Sequence, residues 1–169
     1  MRILGVDPGT LVLGYGIIDG QGDDISLVAY DALRCRSNQP MGERLLYLYR
    51  SLCDILQQFQ PGAMAIETPF VAENARTALA IGKAQAIALL AAATCGIPAF
   101  EYSPAAIKYN AASYGNSSKS QVQEMVRLQL NLREVPVPSD SADALAAAIC
   151  HLRQSHLNTI TGTVHDNQH

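Results

Sequence analysis

Short apolar runs that stop at an acid punctuate this chain. Residues 2–6 form the first, which reads as a buried strand, and Asp7 closes it. Pro8 and Gly9 then force a turn, and residues 11–18 read as a second strand in which Gly14 and Gly16 permit close backbone approach. A turn over Gly20, Gly22, Asp23 and Asp24 leads to a third strand at 25–34. Three strands on short links predict an antiparallel meander. The period then changes. From Pro40, a suitable first-turn residue, Leu45, Leu48, Leu52, Ile55, Leu56 and Phe59 recur at helical spacing until Pro61 and Gly62 stop them.

Residues 63–66 repeat the opening pattern, an apolar run closed by Glu67. An Ala-rich helix over 74–94 follows, with Gly82 and Ala86 four apart and Gly96 as its C-terminal cap. Residues 97–102 read as a fifth strand. A short helix from Ser103 and Pro104 carries Lys108, and 113–118 is a polar loop. Ser118 and Gln121 have capping-box spacing for a helix reaching Leu130. After Pro136 and Pro138, Ser139 is the expected N-cap of a last helix through Gln154, and the polar tail 156–169 is expected to be disordered. This order predicts an α/β fold with a mixed five-stranded sheet and helices on both faces.

Composition narrows the class. With 169 residues and 49% hydrophobic content, the chain suits one domain with a substantial core. No run of 18 uncharged apolar residues stands out, so no membrane span is expected, and a chain that enters a strand at residue 2 is expected to lack a secretory leader. Cys35, Cys53, Cys95 and Cys150 show no metal-like spacing, and they are expected to be reduced thiols of a cytoplasmic protein. The net charge of −3 argues against a globally basic nucleic-acid binder, yet the charge is uneven. Between Arg76 and Arg133 six bases face two acids, a local +4 that leaves −7 for the remainder.

Four carboxylates carry the candidate chemistry. Asp7 and Glu67 each end an apolar strand, and they stand side by side if those strands are neighbours. Asp140 and Asp143, three apart, share one face at the start of the last helix. Each feature has a plainer reading alone: Asp-Pro-Gly is a turn, and acids decorate many helix starts. Together they form a hard oxygen donor set without Cys or His, which suits Mg²⁺ or Mn²⁺, and paired ions of this kind promote phosphodiester hydrolysis.

Four motifs in order, running from Ile3 through Asp7 to Gly16, Ala65 to Glu67, Lys119 to Val122, and Asp140 to Ala146, resemble the RuvC family of bacterial Holliday-junction resolvases within the RNase H-like superfamily. The resemblance covers about residues 1–155, which would form the nuclease domain. It implies a junction endonuclease whose catalytic and metal-binding acids are Asp7, Glu67, Asp140 and Asp143. It also implies two Mg²⁺ ions per subunit, with Mn²⁺ able to substitute, products with 5′-phosphate ends, a homodimer and a branch-migration motor as partner. On the DNA side it implies Phe70 stacking near the junction centre and Lys108 and Lys119 near the scissile phosphate. Phe70 could equally staple onto the following helix. Glu73, Gln85 and the loop 113–118 depart from the family pattern on the DNA face, not in the acidic set.

Two other functions compete. An actin-like phosphotransferase also opens on strand-Asp-x-Gly-Thr, but it needs two domains and a second Gly-rich loop, which this chain lacks. A non-catalytic junction-binding protein would use the basic segment and Phe70 equally well, but it would not need all four acids.

Overall fold

The protein is described here by a computed structural model covering residues 1–21, 24–68, 75–112 and 118–161. Strands β1 (Arg2–Asp7), β2 (Val12–Gln21) and β3 (Asp24–Arg34) form the predicted meander. β4 (Ala63–Glu67) lies parallel to β1, and β5 (Ala99–Tyr102) lies parallel to β4. The sheet order is β3-β2-β1-β4-β5. Helices α1 (Met41–Phe59) and α2 (Ala75–Thr94) cover one face; α3 (Pro104–Ala112), α4 (Lys119–Gln129) and α5 (Ser139–Thr161) cover the other.

Strand alternation sorts the core into these two layers. Leu4, Val6, Met64 and Ile66 pack with Leu48, Leu52 and Leu56 of α1 and Ala88, Ala91 and Ala92 of α2. Ile3, Ala65 and Tyr102 point the other way, toward α5 and its Leu145, Ile149 and Leu152. Both faces of the central strands are buried, which is why β1 and β4 read as continuous apolar runs.

Helix α5 lies unusually close to the sheet because β1 and β2 present glycines beneath it. A Cβ at Gly5 would collide with the Ala144 carbonyl oxygen, and one at Gly14 with the Asp140 carbonyl oxygen. Gly20 belongs to the same stripe. It lies inside β2 against Leu152, not in the turn its glycine neighbours suggest.

Several boundaries differ from expectation. β5 starts at Ala99, because Ile97 N–H is taken by the Ala92 carbonyl in the Gly96 cap that closes α2. Pro40 precedes α1 as its N-cap, and Gln60, in the left-handed conformation, ends it. Ser139 is the first residue of α5, whose Ser141 N–H and hydroxyl both donate to the Pro138 carbonyl. The same helix continues past Gln154 to Thr161, since no glycine or proline interrupts it. Helix α2 also contains an 18-residue window, Thr77–Thr94, long and apolar enough by composition to cross a membrane, with mean hydropathy 1.4. Lys83 sits within it, and Ala84, Ala88, Ala91 and Ala92 bury one side of it in the fold, as in a helix packed on a core. All four cysteines are free.

Candidate active site

The register of the sheet builds the site. Val6 pairs with Ile66, so the next residues, Asp7 and Glu67, end their parallel strands side by side. Alternation from Ile3 and Ala65 turns both carboxylates to the α5 face. On its other side Asp7 pairs with Gly14. The missing Cβ there admits the Asp140 backbone, which brings the start of α5 over the strand ends. One turn on, Asp143 joins Asp7 and Glu67 in a cleft that also holds Lys108 and Lys119, walled by Pro104, Ile107, Val122 and Ala146.

Lys119 is fixed by the helix it opens. The Ser118 hydroxyl accepts from Gln121 N–H at 3.2 Å, and the Gln121 side chain accepts from Ser118 N–H at 2.7 Å, completing the predicted capping box. From that first turn the Lys119 ammonium reaches Asp143 Oδ2 at 2.5 Å. A cation at a helix N-terminus opposes the dipole, so the acids hold it there.

The acids are crowded beyond what the two lysines balance. Burial, reinforced by Glu67, Asp143 and Asp140, pushes the Asp7 carboxyl up to about 8 against the opposing pull of Lys119. Burial and Asp143 push Glu67 up to about 7, opposed by Lys119 and Lys108. Lys119 loses affinity for its proton through burial, but the bond to Asp143 and the charges of Asp143, Asp7 and Asp140 outweigh this and raise it overall.

Among the described residues no three carboxylate, imidazole or thiol groups converge tightly enough to hold an ion as they stand. The donor chemistry nevertheless fits a hard divalent cation. Every candidate ligand is a carboxylate oxygen, and burial together with neighbouring acids raises the proton affinities of Asp7 and Glu67, a setting an incoming cation would relieve. Across the sheet a roomier cleft lined by Cys53, Gln57, Thr94 and Cys95 contains no acidic or basic side chain.

A family-wide comparison matches residues 3–151 to the family described as Crossover junction endodeoxyribonuclease RuvC. The chain belongs to the RuvC family. A curated RuvC crossover junction endodeoxyribonuclease from Dehalococcoides mccartyi is 54% identical over 160 residues, covering 95% of this chain and 96% of that one. The structure of T. thermophilus RuvC in complex with a Holliday junction substrate superposes with a TM-score of 0.89 at 32% identity, covering 94% of this chain and 97% of that one. A yeast mitochondrial Holliday junction resolvase, at 16% identity and TM-score 0.60, shares the fold. The expected RNase H-like architecture therefore holds, and RuvC membership makes the chain an endonuclease of a family that uses divalent metal.

The acids read from the sequence pattern and the lysines implied by the RuvC resemblance come together: Asp7, Glu67, Asp143, Lys108 and Lys119 share the cleft, and the Asp140 charge acts on Asp7. Phe70 and Glu73 lie outside the described residues, as do residues 113–117 of the polar loop. Gln85, one of the departures from the family pattern, donates to the Glu101 carboxylate of β5. Sequence reasoning missed Tyr102. It ends β5 in register with Glu67, and its carbonyl accepts from both Thr68 N–H (2.8 Å) and the Thr68 hydroxyl (3.1 Å). A strand end beside two strand-end acids was the available signal.

Proposed function

We propose that this chain resolves four-way DNA junctions by paired, divalent-metal-dependent phosphodiester hydrolysis, in recombination and repair. The observation that carries the reading is the side-by-side ending of Asp7 and Glu67 under Asp143 and Lys119, in a chain of the RuvC family. The resolvase would work as a cytoplasmic homodimer on junction DNA, with a branch-migration motor, and leave 5′-phosphate ends. Residues 1–155 would be the nuclease unit.

Asp7, Glu67, Asp140 and Asp143 would hold the ions, two Mg²⁺ per subunit, with Mn²⁺ able to substitute. When bound, the ions supply charge stabilisation for attack by water on phosphorus. The chain's own residues do the rest. The Asp7 and Glu67 carboxyls would have to give up their protons to serve as ligands, a loss that burial and their mutual repulsion oppose until positive charge arrives. Lys119, paired with Asp143, lies where it could turn to a phosphate oxygen, and Lys108 flanks the same cleft. Phe70 would stack on a base near the crossover.

The homodimer reading draws on α2. Leu79, Ala86 and Leu90 are exposed along one stripe of that helix, with the less exposed Gly82 in the same line and open space where its Cβ would be. Two subunits related by a two-fold axis would match the symmetry of a junction.

The test is cleavage of a mobile four-way junction, with linear duplex alongside, in Mg²⁺ and in EDTA. Paired nicks on the junction alone, abolished by EDTA, are the expected result. Binding without nicking in Mg²⁺ or Mn²⁺ would favour a non-catalytic junction binder.

A further inference from the structure

The acids come from two bodies. Asp7 and Glu67 ride on the sheet, whereas Asp140 and Asp143 ride on α5. Over β1 and β2, backbone contact at Gly5 and Gly14 fixes the helix to the sheet. Neither β4 nor β5 contains a glycine, so the Glu67 side of the site meets α5 through side chains and not through such a backbone seat.

A buried polar pair is part of that contact. Tyr102, in register beside Glu67, sends its hydroxyl to His151 Nδ1 of α5 at 2.6 Å. Tyr102 is 9% exposed and His151 5%. Phe100, one pleat earlier on β5, lies against the imidazole with ring centroids 4.4 Å apart. Burial keeps both groups neutral, lowering the imidazole to about 4 and raising the phenol. The backbone of Tyr102 completes the connection, since its carbonyl takes both donors of Thr68, the residue after Glu67. A continuous path therefore runs from Glu67 through Thr68 and Tyr102 to His151. His151 lies on the same helix as Asp143, about 12 Å further along it. A directional hydrogen bond in an otherwise apolar layer sets position more sharply than apolar contacts can.

We propose that Tyr102 and His151 are positioning residues for Glu67, and that their hydrogen bond, relayed by Thr68, holds Glu67 at the distance from the α5 carboxylates that a shared divalent ion requires. The inference rests on the nuclease reading above and adds two buried residues outside the lining of the acidic cleft.

The test is a Mg²⁺ titration of wild type and Tyr102→Phe, read both as the metal-induced rise in Tm and as single-turnover junction cleavage. The half-saturating Mg²⁺ concentration should rise about tenfold in both readouts. Junction affinity in EDTA should stay within about a factor of two, since phosphate contacts dominate it. His151→Leu should match Tyr102→Phe, the double variant should add nothing further, and His151→Asn, which keeps a bonding group near Nδ1, should recover part of the loss. Thr68→Val tests the relay outside the core and should move the same midpoint. Ile17→Val trims the opposite core layer and should lower Tm without moving the midpoint. An unchanged midpoint in Tyr102→Phe and Thr68→Val, or an equal shift in Ile17→Val, would overturn the proposal. Failure of wild type itself to respond to Mg²⁺ would overturn the nuclease reading and this inference with it.

Discussion

Asp19 and Asp7 occupy opposite ends of one antiparallel strand pair, and they are treated in opposite ways. Asp19 faces Arg2 across the register and accepts two parallel bonds from the guanidinium, at 2.9 and 2.8 Å. That pairing holds its carboxyl below the ordinary range, and the pair is partly exposed to water. Asp7 faces a glycine, is half-buried, and has Glu67, Asp143 and Asp140 for neighbours, with one lysine among them that already serves Asp143. One end of the ribbon is electrostatically complete and the other is not. A strand end that keeps repelling acids together is organised for an incoming cation, not for the stability of the metal-free fold.

The contrast can be broken from several directions. Gly14→Ala should act most strongly. The new Cβ would drive the Asp140 carbonyl off β2, at a cost of about 3 kcal/mol in stability, and cleavage should be lost with it. Urea unfolding and junction cleavage check both. Lys119→Met should cut single-turnover cleavage about 100-fold while the fold survives. Thermal unfolding of the metal-free protein gives a subtler test. An acid such as Asp7, whose folded value is raised, binds more protons folded than unfolded, so stability should fall as pH rises from about 4 to about 8. Saturating Mg²⁺ should flatten that slope. Asp19→Asn should do least, with Tm lower by at most about two degrees and cleavage unchanged.

The acids were legible because each signals itself locally, by ending an apolar run or by opening a helix after a proline-rich loop. Bringing Asp7 and Glu67 together required that β1 and β4 be neighbours, a condition the sequence left open, and bringing in the α5 acids required the seat at Gly14. The α5 stripe was half legible. Gly14 and Gly16 sit in a readable strand, but Gly20 stands among turn-forming residues and looks like one of them. The full length of α5 was hidden by polar composition after Gln154, although nothing there breaks a helix. Tyr102 showed only as a strand end, and its pairing with His151 was not legible. They are 49 residues apart, and only the register of β5 against β4 and the tight seating of α5 bring them together. Side chains that act through a partner on another element leave no spacing in the sequence.

Asp7→Asn offers the most direct single measurement: junction cleavage in Mg²⁺ and junction binding in EDTA, run in parallel with wild type. The substitution removes one repelling charge while keeping the side chain's size. Cleavage should fall about a thousandfold or more with binding retained and the metal-free protein more stable near pH 8. Wild-type cleavage by Asp7→Asn would contradict a catalytic role for the strand-end acids.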